Sequence, residues 1–186
     1  MSPPPPPPPA GHHDAPPPPT TGAFVARLAI DAQPGGKRFQ GVWLEHGGGR
    51  WVIDYRAREL WQPFDGLDVR VTGETWTPDP RAQAIQAQHF KVGRLEVADR
   101  AQAKHFLAIG PERELTGVFV HKRMPVGSKS EGESPLYFEE TGGHRYEVIG
   151  GEHGSGAATV VARDVEVNPT WAATTGGPFV WIEKVR

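Results

Sequence analysis

The sequence predicts an all-β protein: two small five-stranded Greek-key barrels in tandem behind a proline-rich head. Three observations predict it. Short runs of alternating apolar residues recur along the chain and are divided by glycine-rich turns, the pattern of strands and hairpins. A hairpin with its flanking strands occurs twice, with matching residues about 95 positions apart. The proline excess sits at one end: 11 of 20 prolines fall in the first 22 of 186 residues, which leaves an ordinary share for the rest.

The head, residues 1–22, reads MSPPPPPPPAGHHDAPPPPTTG. Proline fixes φ and has no amide donor, so this segment is expected to be extended and solvated. It has neither the basic nor the apolar region of a secretory signal. No later run is long and apolar enough for a membrane span, so a cytoplasmic chain without a membrane partner is expected. The head has the chemistry of a polyproline II ligand for a grooved partner. A tail or spacer is the blander expectation and the favoured one. His12, His13 and Asp14 are adjacent on it and make no closed metal site.

The first unit, residues 23–97, holds five expected strands: 24–31, 40–46, 50–55, 68–75 and 89–97. Alternation assigns one side to Phe24, Ala26, Leu28, Ile30, Val42, Leu44, Trp51, Ile53, Tyr55, Val69, Val71, Phe90 and Val92, the expected core. Gly47, Gly48 and Gly49 suit a hairpin turn that needs positive φ. Residues 57–61 look helical or irregular. Residues 98–111 form a linker, with a short helix expected at 99–108, where Ala, Gln and Lys have fair helix propensity.

The second unit, residues 112–186, holds expected strands at 115–121, 135–140, 144–149, 160–167 and 178–185. Its expected core side carries Leu136, Phe138, Tyr146, Val148, Val165 and Val167. The strand–hairpin–strand stretch Val42 to Ile53 in the first unit is matched by Leu136 to Val148 in the second, with Trp43 against Tyr137 and Trp51 against Tyr146. Downstream, Asp68-Val69-Arg70-Val71 is matched by Asp164-Val165-Glu166-Val167. Five strands in about 75 residues, with the longer connection between third and fourth, suit a small Greek-key barrel.

The residues Gly47-Gly48-Gly49-Arg50-Trp51-Val52-Ile53-Asp54-Tyr55, then Leu60, Phe64-Asp65-Gly66 and Asp68-Val69-Arg70-Val71-Thr72-Gly73, resemble small bacterial OB-fold-like domains. The resemblance covers residues 23–97 well. It covers 112–186 less well, because residues 150–156 are a glycine-rich loop where the first unit has its irregular segment. SH3-like barrels and β-sandwiches compete with it. The resemblance implies a ligand face for oligonucleotides or oligosaccharides and carries no catalytic residue.

The side opposite the core collects Arg27, Trp43, Arg50, Arg70 and Lys91 in the first unit. Cations around one ring suit a single-stranded nucleic acid, the cations tracking phosphates and the ring stacking a base. In the second unit the equivalent ring is Tyr137, but its neighbours are Glu139, Glu147 and Glu166, which would repel phosphate. The loop containing Lys122 and Arg123 is a further candidate contact, implied by the resemblance. An outer ring also packs readily under a neighbouring loop or domain, and that expectation competes for Trp43. Trp61, Trp76, Trp171 and Trp181 are expected as core or hairpin anchors. Trp76 near Pro78 and Trp171 near Pro169 suggest matching barrel lids.

Twenty Lys and Arg against 22 Asp and Glu exclude a strongly basic nucleic-acid binder. Absence of Cys excludes disulfides, thiol nucleophiles and thiolate metal sites. No phosphate-loop or nucleophile-elbow motif occurs, and no cofactor is expected. His144, Glu152 and His153 could meet at a metal, without a spacing signature to support it. The leading expectation is a non-enzymatic binding or assembly module with a protein partner or small ligand. Single-stranded nucleic-acid binding by the first barrel is the alternative, and a small metal-dependent hydrolytic enzyme the third. Oligomeric state is left open.

Overall fold

A computed structural model describes residues 22–32, 40–77, 79, 81, 87–128, 134–171 and 177–186. The proline-rich head through residue 21, and Pro78, lie outside the described residues. The protein is all-β. Ten strands run in chain order: β1 (Phe24–Ala32), β2 (Gln40–His46), β3 (Gly49–Asp54), β4 (Asp68–Trp76), β5 (Gln88–Val97), β6 (Phe106–His121), β7 (Leu136–Glu140), β8 (Arg145–Gly151), β9 (Gly156–Val167) and β10 (Phe179–Val185). Two single 3-10 turns, Gln62–Phe64 and Arg100–Gln102, are the helical elements among the described residues.

The first five strands close on themselves. The order is β3-β2-β1-β4-β5, and a parallel pairing of Trp51 with Gln88 and Val52 with His89 joins the ends. The second five repeat that order as β7-β8-β10-β9 around β6, again with one parallel pairing, between β8 and β10. A short antiparallel seam, Leu95 with Ile109 and Glu96 with Ala108, makes both circuits one continuous sheet. No described helix is long and apolar enough to cross a membrane.

Local chemistry accounts for the hairpins. Gly47 and Gly48 have φ of 57° and 83°, which a two-residue turn twisted to match its strands requires. That turn fixes the β2–β3 register, His46 opposite Gly49 and Leu44 opposite Trp51. Register in turn fixes which side chains go inward. Leu28, Leu44, Trp51, Leu60, Phe64 and Leu95 lose all exposure inside the first circuit. Phe138, Val160, Ala162, Val180 and Ile182 do so inside the second.

Three departures from the sequence expectations have physical causes. The helix expected at 99–108 is only the turn Arg100–Gln102, begun where the Asp99 carboxylate accepts from the Ala101 amide at 3.0 Å. From Phe106 the chain is already strand, because Phe106, Leu107, Ala108 and Ile109 are all buried, and burial overrides propensity. Val165 and Val167, assigned by alternation to the second core, pack with Phe106, Ile109 and Trp181 against the first. Tyr55, assigned to the first core, joins Trp43 and Val52 in a small cluster outside it.

A chain of ions bridges the two circuits. The Arg163 side chain is 4% exposed, and its guanidinium donates to Glu183 at 2.9 Å, Glu112 at 2.8 Å and the Gly110 carbonyl at 2.9 Å. It also donates to the Val92 carbonyl at 3.3 Å, across in the first circuit. Glu183 pairs in addition with Arg58, which pairs with Asp54 at 2.6 Å. Burial works against the Arg58 charge, but Asp54 and Glu183 outweigh it and raise its pKa. Such a chain holds geometry because each buried charge is met from two sides.

A candidate ligand-binding cleft between the barrels

The side chains singled out in the sequence do not form one surface. Arg27, Arg50, Arg70 and Lys91 are exposed, but they stand on β1, β3, β4 and β5. Closure of those strands into a ring points them around the barrel, not across one face. Most also stand opposite acids. Arg50 pairs with Glu45 at 3.1 Å and Arg70 with Glu96 at 3.5 Å, while the register sets Lys91 opposite Glu74 and Arg27 opposite Glu45 and Asp68.

Trp43 keeps 6% of its surface, with Val52, Tyr55 and Ala87 packed on it. The Arg50 guanidinium lies over its ring at 4.3 Å from the centroid. Tyr137 keeps 7%, and Arg145 lies over it at 5.5 Å while donating to Glu139 at 2.9 Å. The repeat therefore reproduces a whole triad: an outer ring, a carboxylate two residues later, and an arginine from across the hairpin that caps the ring. Lys122 and Arg123 are exposed on the loop after β6, where the Lys122 amide donates to the Pro135 carbonyl.

The open aromatic surface lies elsewhere. Trp171 is 47% exposed and Trp76 is 46% exposed, at matching positions of the two units. Each leans on a histidine. Trp171 stacks on His105 with centroids 4.7 Å apart and planes 25° apart, whereas Trp76 meets His89 edge-on at 5.0 Å. His89 itself is closed off, because its Nδ1 donates to the Ala87 carbonyl at 2.8 Å and its Nε2 then accepts from the Tyr55 hydroxyl at 2.6 Å.

Trp171 edges a cleft of about 420 Å³ between the two barrels. Glu59, Gln62 and Pro63 enter from the connection between β3 and β4. Lys104, His105 and Phe106 enter from the start of β6, and Ile149 and Trp181 from β8 and β10. Phe106 and Trp181 are 5% exposed each and form the apolar floor. The Trp181 ring lies so close to Gly150 that an added Cβ there would sit 2.1 Å from it, so only glycine admits the ring.

Asn168 fixes the rim. Its Nδ2 donates to the carbonyls of Ala103 at 3.0 Å and Lys104 at 3.2 Å. Its Oδ1 accepts from the amide and the hydroxyl of Thr170 at 3.1 and 2.9 Å. Its own amide donates to the His105 carbonyl at 2.8 Å, and the Trp171 amide donates back to its carbonyl at 2.9 Å. One residue thus ties the segment bearing His105 to the turn bearing Trp171, and the stacked pair is held before any ligand arrives. That is the preorganisation a binding site gains from.

Alternation could not find this cleft, because its walls come from connections and strand ends and not from one strand face. The signal present in the sequence is the repeat itself, which puts Trp76 and Trp171 in register near a proline. Trp61 and Trp181 are buried, in keeping with anchors, whereas Trp76 and Trp171, expected as anchors too, are about half exposed. The histidines and glutamate considered for a metal are spread out: Glu152 accepts from the Val185 amide at 2.8 Å, and His144 lies beside Tyr146. Among the described residues no three His, Asp or Glu side chains converge on a metal position. No family model matches the chain, nor does any curated protein or solved structure.

Proposed function

We propose that this chain is a non-enzymatic binding module made of two OB-type barrels, with its ligand seat in the cleft between them. The strand order β1-β2-β3-β5-β4 with one parallel closure, present in both halves, supports the OB-type assignment. The observation that carries the functional reading is Trp171: a large ring, half open, stacked on His105 and edging an apolar-floored cleft. Large exposed rings beside a concave apolar surface mark ligand sites more often than chance exposure does. The outer face of barrel 1 is less suited to single-stranded nucleic acid, since Trp43 is capped by Arg50 and that arginine is paired with Glu45.

Titration of the ¹⁵N-labelled chain with three soluble probes tests the reading: an oligodeoxythymidine, a neutral oligosaccharide and a proline peptide. The expected result is that at least one probe shifts the Trp171 indole resonance saturably and loses its binding in Trp171→Ala. If no probe moves that resonance, or if Trp171→Ala binds equally well, the cleft is not the seat.

A further inference from the structure

Among the described residues the cleft is short of net charge. Glu59 and Lys104 bring one charge of each sign, and the other walls are rings, Pro63, Ile149 and an amide side chain. A phosphate chain gains little there, because its binding depends on uncompensated cations. An uncharged ligand loses nothing. A flat indole fixed against a second ring, beside an apolar floor, is the chemistry that takes a polyproline II helix. Proline rings lie on aromatic faces, and the helix arrives already ordered.

The chain carries such a segment. Residues 3–9 are seven consecutive prolines. We propose that this seven-proline run of the chain's own head docks in the cleft across Trp171, an inference that rests on the cleft being the ligand seat.

The connection is long enough. Within β1 the chain passes from Phe24 to Leu28, where the Leu28 amide donates to the Leu67 carbonyl and the Gly66 amide donates to the Leu28 carbonyl, just past the Gln62–Phe64 turn on the cleft wall. From Gly22 to that point is about 20 Å of extended strand. Residues 10–21 separate the prolines from Gly22, and twelve residues at about 3.1 Å each cover about 37 Å. The run itself spans about 22 Å. A tether of this length gives an effective concentration on the order of millimolar, so a weak intrinsic contact still fills the cleft.

The test uses the full 186-residue chain, ¹⁵N-labelled, and a variant in which every proline of 3–9 is replaced by serine. The probe is a free heptaproline peptide. Docking in cis predicts that the serine variant shifts the Trp171 indole resonance with no ligand added. It also predicts that heptaproline binds that variant about tenfold or more tightly than it binds the natural chain, where the tethered run competes. The affinity difference, read by calorimetry, vanishes in Trp171→Ala, and both effects are independent of protein concentration. The proposal is overturned if the serine variant leaves the resonance in place, or if heptaproline fails to shift it in that variant. It is also overturned if the difference fades on dilution, which would put the prolines of a second copy in the cleft. Should heptaproline fail while the oligosaccharide or oligodeoxythymidine shifts Trp171, only this inference is lost. Failure of all three probes removes the ligand seat as well.

Discussion

Replacing Arg163 by Met should loosen the joint between the barrels without unfolding either one. Arg163 touches Glu183, Glu112, the Gly110 carbonyl and the Val92 carbonyl together, and its side chain is 4% exposed. Met keeps the stem and removes the cation, so the packing loss is small and the charge loss is large. Removing one member of a buried pair costs about 3–5 kcal/mol, because the other charge is left without a partner. Here Glu183, itself 8% exposed, retains Arg58, and Glu112 is 42% exposed and rehydrates. The low end, about 3 kcal/mol, is therefore expected. In a chain of this size each kcal/mol lowers Tm by about 2–4 °C, which gives a fall of about 6–12 °C.

Two assays separate this from general damage. Thermal and urea denaturation give the stability change. Hydrogen exchange gives its location, and the seam of Leu95, Glu96, Ala108 and Ile109 should exchange faster than the amides of β2 and β9. The seam is only two residue pairs long, so the ion chain and the apolar cluster at Phe106 and Val165 carry the rest of the joint. Converting Glu183 to Met in the same chain should not recover the loss, since Glu183 keeps Arg58 as its partner and its removal would take that partner from Arg58 in turn. A single variant within about 1 kcal/mol of the natural chain, with exchange at the seam unchanged, would refute the reasoning: solvent would then be screening the pair.

Asn168→Ala removes four side-chain hydrogen bonds at a half-buried rim and should cost about 1–2 kcal/mol, with the Trp171 indole resonance broadened or doubled in a ¹⁵N spectrum. Trp171→Ala should cost about 2–3 kcal/mol in urea denaturation, because about half of the ring is buried and it stacks on His105. Gly150→Ala should cost about 1–3 kcal/mol by the same assay, since the new methyl meets the Trp181 ring, and it should also disturb the cleft floor. Gly48→Ala has open space but a φ of 83°, so about 1 kcal/mol of backbone strain is expected, and the β2–β3 pairing should survive.

What the sequence makes legible is what local rules govern. Strand β2 runs over 40–46 as expected, because a glycine turn ends it and alternation fills it. Leu28, Val42, Leu44, Val69 and Val71 are buried as alternation requires. The rule breaks where a strand is covered on both sides. Residues 106–109 are all buried, without alternation, with Phe106 and Ile109 in the first core, and a run of that kind is indistinguishable from a helix by period. Arg163 closes the apolar run Val160-Val161-Ala162, yet nothing local says that it faces Glu183 and another barrel. The capping of the outer rings escapes the sequence for a similar reason. The sequence places Trp43 on an outer face, but whether Arg50 lies over it depends on the hairpin register.

Closure and fusion together leave few places for a ligand on this fold. A five-stranded ring has no room inside, since its own side chains fill it. Outside, the repeated triads cover Trp43 with Arg50 and Tyr137 with Arg145, so neither barrel presents a bare ring on its β2–β3 type hairpin. The junction differs because its walls come from two barrels, and no single hairpin can cap it. Its width is then set by the joint: by the seam at Leu95 and Ile109, and by the ions running from Asp54 through Arg163 to Glu112. A ligand held there reads the angle between the barrels as well as the chemistry of Trp171. Binding should accordingly stiffen the joint, and loosening the joint at Arg163 should weaken binding without touching a residue of the cleft.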